Sequence, residues 1–376
     1  MQSCDVAIIG GGVIGSAIAY FLAGRTDFKG SIAVVEKDPT YETAATPRSA
    51  GGVRQQFSTP ENIQMSMFGA AFIKDAREHL TINGEVVELP FVEWGYLFLA
   101  TAAGFETLRT NHTTQTSLGA KVALLTPSEL KVRFPWLHVD DLAGGCYGLA
   151  NEGWTDPYGL LQAFRRKARS LGVTYLADEV TGLERVGNRI ASVTLRDGGR
   201  LACSAIVNAA GYHADKIAAM IGADLPVRPR KRIVYVFDCR DKPERAPLTI
   251  DPTGVWCRPE GATFIGGISP AGIGGSGLHG LRDRLQAVRR RGLADAGAAH
   301  TSLRGAQAGA RLGRALRLQH ARPECDIGAT SGGRKLLLRQ RIQRAWAAAV
   351  AGGRARHRRA DRLWRIPQPG PAPLRL

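Results

Sequence analysis

Apolar and polar positions follow distinct periods along the first 270 residues of this 376-residue chain. Val6–Ile9 is a short unbroken apolar run, the pattern of a strand covered on both faces. Beyond the glycines at 10–12, Ile14, Ala17, Ile18 and Phe21 recur at helical spacing. "SIAVVEKD" is a second buried run, and its end carries Glu36. Farther on, "WGYLFLA" predicts a strand, "AIVNAAG" a buried strand ending in small residues, and the alternating "RKRIVYVFD" a strand of a second sheet. "DPYGLLQAFRRKARSLG" predicts an amphipathic helix started by Asp156 and Pro157 and stopped by Gly172. Strand, turn, helix, strand at the outset, followed later by more strands, predicts an α/β fold that opens on a Rossmann-like unit.

The segment Val6–Gly24 carries no charge over 19 residues, long enough for a membrane helix on length alone. The triple glycine inside it breaks that reading in favour of a strand–turn–helix, so no transmembrane segment is expected. With a strand beginning almost at Met1, no secretory leader is expected either. The six cysteines are scattered without a C-x-x-C pair, which argues against a zinc site or disulfide framework and fits a reducing, cytoplasmic setting. The eight histidines form no pair at ligand spacing.

Gly10-x-Gly12-x-x-Gly15 lies between strand and helix, the context in which the dinucleotide fingerprint has physical content. Gly10 makes the turn, Gly12 admits a pyrophosphate to the backbone, and Gly15 lets helix and strand pack closely. Glu36, 21 residues beyond Gly15, is placed to accept ribose hydroxyls. These features alone do not separate NAD from FAD. The stretch after the second strand, "ATPRSAGGVRQQFSTPENIQMS", is irregular and rich in small residues. Arg48, Ser49, Gly51 and Gly52 make it a candidate to lie against a flavin, and a plain surface loop fits the same composition.

At these residues the chain resembles the FAD-dependent D-amino-acid-oxidase-like superfamily, which includes sarcosine oxidase, glycine oxidase and dimethylglycine dehydrogenase. Within it the resemblance is greatest to the FAD-dependent oxidoreductase domain-containing group, whose mitochondrial member is a complex I assembly factor. "YETAATPRSAGGVRQQFSTPENIQMSMF", "WGYLFLA", "FPWL", "NEGWTDPYGLLQAFRRKARSLGV", "VNAAGYHADKIA" and "LPVRPRKRIVYVF" carry it, in order, over most of residues 4–270. The resemblance implies FAD as cofactor, held by Gly10, Gly12, Gly15 and Glu36 on its ADP half, with Arg48, Ser49, Gly51 and Gly52 beside the flavin. It also implies that Val180 meets the adenine through its backbone and that Ala210 and Gly211 close over the pyrophosphate; Val180 fits a plain core strand position equally. The implied fold is a discontinuous Rossmann-like FAD-binding domain (1–84 and 151–222) with an inserted α+β substrate domain (85–150 and 223–270). The implied reaction is oxidation of a small amine or amino acid by hydride transfer to flavin N5. The alternative is a flavin-binding assembly or scaffold protein with a respiratory-complex partner and little turnover. Arg258 offers a bidentate fork for a substrate carboxylate, or is a solvated charge at a strand end. Arg230, Lys231 and Arg232 form a basic cluster open to the same alternatives.

Charge changes the picture at the other end. Residues 1–270 carry 28 Lys+Arg and 28 Asp+Glu; residues 271–376 carry 22 and 5, so the whole formal charge of +17 lies in the tail. Its aromatics are Trp346 and Trp364 alone, without the interleaving of a nucleic-acid reader, so no specific nucleic-acid partner is expected. "RLQHARPEC" can be encoded CGA CTA CAA CAC GCT CGA CCA GAA TGC, which one nucleotide later reads "DYNTLDQN". "LLLRQRIQRAWAAAV" likewise permits "FYFANGFSGHGLQQ". Both are tracts that the resembling family carries after its counterpart of "FIGGISP". Residues 271–376 are therefore expected to be an out-of-frame, non-native product. Their Ala- and Arg-rich runs favour helix and they lack the β-branched alternation of a sheet strand, so the tail is expected to be helical or disordered and poorly packed on the body.

Overall fold

The computed structural model describes residues 2–187, 189–239, 243–268 and 319–327. Along the chain it begins with β1 (Gln2–Ile9), α1 (Val13–Ala23), β2 (Ile32–Val35), β3 (Gly52–Val53), α2 (Pro60–Lys74) and α3 (Ala76–Leu80). Next come β4 (Phe91–Val92), β5 (Tyr96–Ala100), α4 (Ala102–Ser117), β6 (Val122–Leu125), α5 (Pro127–Arg133), β7 (Gly144–Gly148), β8 (Gly153–Thr155) and α6 (Pro157–Ser170). The rest is β9 (Thr174–Leu176), β10 (Val180–Val186), β11 (Arg189–Leu195), β12 (Arg200–Asn208), α7 (Ala214–Ala219), β13 (Val227–Phe237), β14 (Leu248–Ile250), β15 (Val255–Glu260), β16 (Thr263–Ile268) and β17 (Gln319–Ile327).

Among the described residues these strands form three sheets. The first runs β10-β11-β12-β1-β2-β9, with β12, β1, β2 and β9 parallel. Helices α1 and α6 cover one face, packing Ala19 and Ala168 over Ile8, Ile32 and Val34, and α7 helps cover the other over Ala7, Ile9, Val193 and Leu201. Burial on both faces is why β1 and β2 read as unbroken apolar runs. Pairing of β1 with β12 starts at Gln2, so the strand is longer than its apolar centre predicts. Helix α6 starts where expected: the Asp156 carboxylate accepts a hydrogen bond from Tyr158 N–H (2.9 Å), Pro157 follows, and Gly172 takes a positive φ beyond the end. A ring cluster of Tyr20, Phe21, Phe72 and Phe164 locks α1, α2 and α6 together.

The second sheet runs β17-β13-β16-β15-β14-β5-β7-β6. The third is a small ribbon, β3-β8-β4. It joins the stretch after Gly51 to the segment leading into α6, and residues 50–56 lie against the second sheet through Ala50 and Gln56.

One expectation needs correction. Gln319–Ile327 of the basic tail forms an extended strand, antiparallel to β13 from Val227↔Ile327 to Val234↔Gln319, and not helix. The eleven-residue β13 would otherwise present a row of unpaired backbone groups, and backbone pairing asks little of the side chains. Pro323 is tolerated because β17 is the edge strand. The remainder of the expected out-of-frame segment lies outside the described residues, as do the side chains of Arg230 and Lys231.

Candidate functional site

The glycine turn is built by close packing. A Cβ on Gly10 would lie 2.5 Å from the Ala209 carbonyl oxygen, and one on Gly15 would lie 1.9 Å from that of Gly10. Gly10 also has φ near +98°, where a side chain is strained. Gly12 is different: a Cβ there would approach only Thr46 Oγ1, at 3.6 Å. Its backbone therefore borders open space at the N-terminus of the eleven-residue α1, whose first turn holds no carboxylate. A helix end of this kind can seat a diphosphate. Glu36, at the end of β2, accepts Gly11 N–H (2.7 Å) on one oxygen and Asp38 N–H (2.9 Å) on the other. Each carboxylate oxygen keeps a second lone pair for a ribose hydroxyl.

The loop after β2 folds back over this turn, with Thr46 Oγ1 accepting Val13 N–H at 3.3 Å. Arg48 donates to the Glu42 carbonyl (2.7 Å), and Ser49 Oγ accepts Gly51 N–H (3.1 Å). Gly51 has φ near +66° and sits so close to β8 that a Cβ would be 2.1 Å from the Thr155 carbonyl oxygen. A Cβ on Gly52 would collide with the Tyr96 hydroxyl. Ala210 and Gly211 follow β12 and lie beside Gly10; Gly211 has φ near +56° and open space where a side chain would be. Val180 opens β10 with its side chain in the core under the first sheet. The turn, the returning loop and the β12 end thus converge, and Val180 lies on β10, the edge strand beyond β11, with its side chain in the core cluster that holds Ile9 and Val35.

Arg258, on β15, is buried, with 4% exposure. Its guanidinium donates to the Ala50 carbonyl (2.8 Å) and the Pro259 carbonyl (2.7 Å), pairs with Glu260, and lies 4.7 Å from the Trp154 ring centre. Burial pulls its pKa down and Glu260 pulls it back. Both terminal nitrogens are thus occupied by its own chain, tying β15 to the loop just before Gly51, while its Nε is buried without a partner.

Three residues went unnoticed in the sequence. The Arg54 guanidinium sits over Phe57 (4.6 Å), Phe98 (5.5 Å) and Tyr96 (5.9 Å), with its buried Nε unpartnered. Two aromatic positions in "WGYLFLA" and the arginine two residues past Gly52 were visible, and only folding places them together. Glu152 is fully buried; both its oxygens are filled by N–H donors, and desolvation pushes its pKa up against them. Tyr41 is buried in a left-handed conformation (φ +60°), its unpartnered hydroxyl beneath Gly11, and burial pushes it up to about 12.

The residues fit an FAD. The ADP half has the turn, the open Gly12 backbone and Glu36. Beside the loop, buried polar atoms of Arg54, Gln55 and Thr155 lack partners inside the protein, which calls for a polar occupant.

The profile of the FAD dependent oxidoreductase family, DAO, matches residues 5–319. FAD-dependent oxidoreductase domain-containing protein 1 of Xenopus laevis is 41% identical over 305 residues, covering 72% of this chain and 61% of its own. The chain thus spans about three-fifths of that relative's length. Glycine oxidase of Geobacillus kaustophilus is 32% identical over 263 residues, covering 68% of this chain and 65% of its own. Its crystal structure superimposes with a TM-score of 0.67 at 22% identity over 93% of this chain and 95% of that one. L-proline dehydrogenase from P. horikoshii superimposes with a TM-score of 0.68 at 22% identity, over 87% and 82%. Among the described residues no helix is long and apolar enough to cross a membrane, and no group of His, Cys, Asp and Glu could hold a metal ion.

Proposed function

This chain belongs to the DAO family of FAD-dependent oxidoreductases, and we propose that it oxidises a small amine that bears a carboxylate, an amino acid or N-alkyl amino acid. Bound FAD supplies the acceptor for a hydride from the carbon beside the nitrogen. Everything else falls to the chain. The glycine turn, Glu36 and the Thr46–Gly52 loop hold the cofactor, with Ala210 and Gly211 against the turn and Val180 toward the adenine. Residues 1–84 and 151–222 make the cofactor domain, and 85–150 with 223–270 the substrate domain.

The observation that carries the substrate class is Arg54. A cation with a buried, unpartnered Nε, stacked on aromatic rings next to Gly52, is shaped to take a carboxylate from the flavin side. Arg258 stands behind it, holding Ala50 and hence the Gly51–Gly52 backbone. Tyr96 brings its hydroxyl against Gly52 and its ring toward Arg54, and so lines the seat.

The test is anaerobic mixing of the FAD-loaded chain with glycine, sarcosine, dimethylglycine, L-proline and D- and L-alanine, following loss of flavin absorbance. Bleaching by a member of this panel, lost in Arg54→Met, supports the reading. A flavin that dithionite reduces but no amine bleaches refutes it and favours an assembly protein serving a respiratory complex. The out-of-frame reading of 271–376 stands beside this proposal, because a displaced C-terminal tract would remove part of the active protein.

A further inference from the structure

Glu152 is a carboxylate buried without a cation. Taking such a charge out of water is strongly unfavourable unless the protein replaces its hydration. The replacement here is a set of N–H donors on both oxygens. One oxygen accepts the N–H groups of Gln55 (2.5 Å) and Gln56 (3.0 Å); the other accepts the Gln56 side-chain amide (2.8 Å). The backbone of Tyr96 adds a further hydrogen bond. Room for the carboxylate is made at Gly148 on β7, where a Cβ would lie 1.9 Å from Glu152 Oε2.

Those donors are not scattered. Gln55 and Gln56 are the two residues after Arg54. Tyr96 is the start of β5, which carries the Tyr96 and Phe98 rings over which the Arg54 guanidinium lies. The Gln56 amide also donates to the Tyr96 carbonyl (3.2 Å), stitching loop to strand. Ser66 on α2 donates to the Arg54 carbonyl. One buried anion therefore fixes both sides of the Arg54 seat, the backbone that carries the cation and the strand that carries its rings. A glutamine at 152 offers one acceptor oxygen in place of two and turns an N–H group toward the Gln56 amide, donor against donor.

We propose that Glu152 is a positioning residue for substrate recognition: it aims Arg54 at the substrate carboxylate without touching substrate or cofactor. This rests on the reading of Arg54 given above. It is tested on the full chain by calorimetric titration of benzoate, with benzamide as the uncharged control, in excess FAD. FAD affinity and melting temperature are recorded alongside.

In Glu152→Gln the benzoate Kd is expected to rise about tenfold or more, the scale of one charge-assisted hydrogen bond. FAD affinity and benzamide binding should stay within twofold of the parent. Arg54→Met should lose benzoate, and Glu152→Gln added to it should do nothing more, since the two act through one guanidinium. Parent-like benzoate binding in Glu152→Gln overturns the positioning role and leaves Arg54 standing. So does a loss of FAD affinity as large as the loss of benzoate, which marks a general packing role. Equal benzoate binding by the parent and Arg54→Met overturns the Arg54 reading and this inference with it. Should Glu152→Gln fail to fold, Gln56→Met removes the side-chain stitch while leaving the anion; it must show the same selective loss of benzoate or the proposal falls.

Discussion

Replacing Arg258 by methionine separates an arginine that holds the loop from one that holds substrate. Methionine fills much of the same volume but removes the charge and every donor. The buried bond to the Ala50 carbonyl is lost, and a hydrogen bond to a charged group is worth about 1.5–3 kcal/mol. The contact with Trp154 at 4.7 Å goes too, at about 0.5–2 kcal/mol. Against this, a charge no longer has to be buried, which often makes such a swap close to neutral. Glu260, half exposed, returns to water. The balance is a loss of about 1–3 kcal/mol from those same terms. For a body of this size that lowers Tm by about 2–4 °C per kcal/mol. Because the freed carbonyl belongs to the residue before Gly51, FAD affinity should fall about tenfold, a loss of about 1.4 kcal/mol. Differential scanning fluorimetry and FAD fluorescence titration measure both, with Arg54→Met as control, expected to keep FAD. If Arg258→Met keeps its melting point and its FAD while carboxylate binding disappears, the loop-anchor argument is wrong and Arg258 is itself the substrate's ligand.

Glu36→Ala strands the N–H groups of Gly11 and Asp38 and removes the ribose acceptor, so FAD should be lost on gel filtration; retention at parental stoichiometry counts against this site. His213 accepts a hydrogen bond from Lys37 Nζ at 3.2 Å, and burial with Lys37 and Lys216 lowers its pKa below 6.5. A base with a depressed folded pKa adds stability above its unfolded value and loses it as pH falls through the folded one. The parent should therefore lose more Tm than His213→Gln between pH 7 and pH 5, and parallel curves refute this. Burial pushes the Cys146 and Cys257 thiols up to about 12, so iodoacetamide at pH 8 should spare both in the native chain and label both in denaturant, as read by peptide mass spectrometry. Resequencing the gene across codons 265–275 should reveal a one-nucleotide slip, and the corrected chain should hold FAD more tightly; an unchanged reading with stoichiometric FAD in the chain as written refutes the displaced frame.

Local pattern was sufficient wherever local physics decides the outcome. The strand–glycine–helix opening was legible because a buried parallel strand must be apolar, a tight turn must lack Cβ atoms, and a helix shows its period in its apolar positions. Asp156, Pro157 and Gly172 announced α6 for the same reason, since caps act within a few residues. The position of Glu36 at the end of β2 was legible by its spacing from the glycines. What could not be read were the long-range choices. Arg54 and Arg258 are both arginines near strand ends. Only the tertiary structure hands one fork to the Ala50 carbonyl, 208 residues away in sequence, and leaves the other over three rings. Glu152 looks like any acidic residue in a loop until folding buries it beneath Gln55, Gln56 and Tyr96. The strand at Gln319–Ile327 runs against its own composition, because an open β13 edge recruits backbone and is indifferent to most side chains. Sequence sets the short-range geometry of this protein; which polar groups end up facing each other is decided by the sheets that carry them, where burial makes each pairing matter.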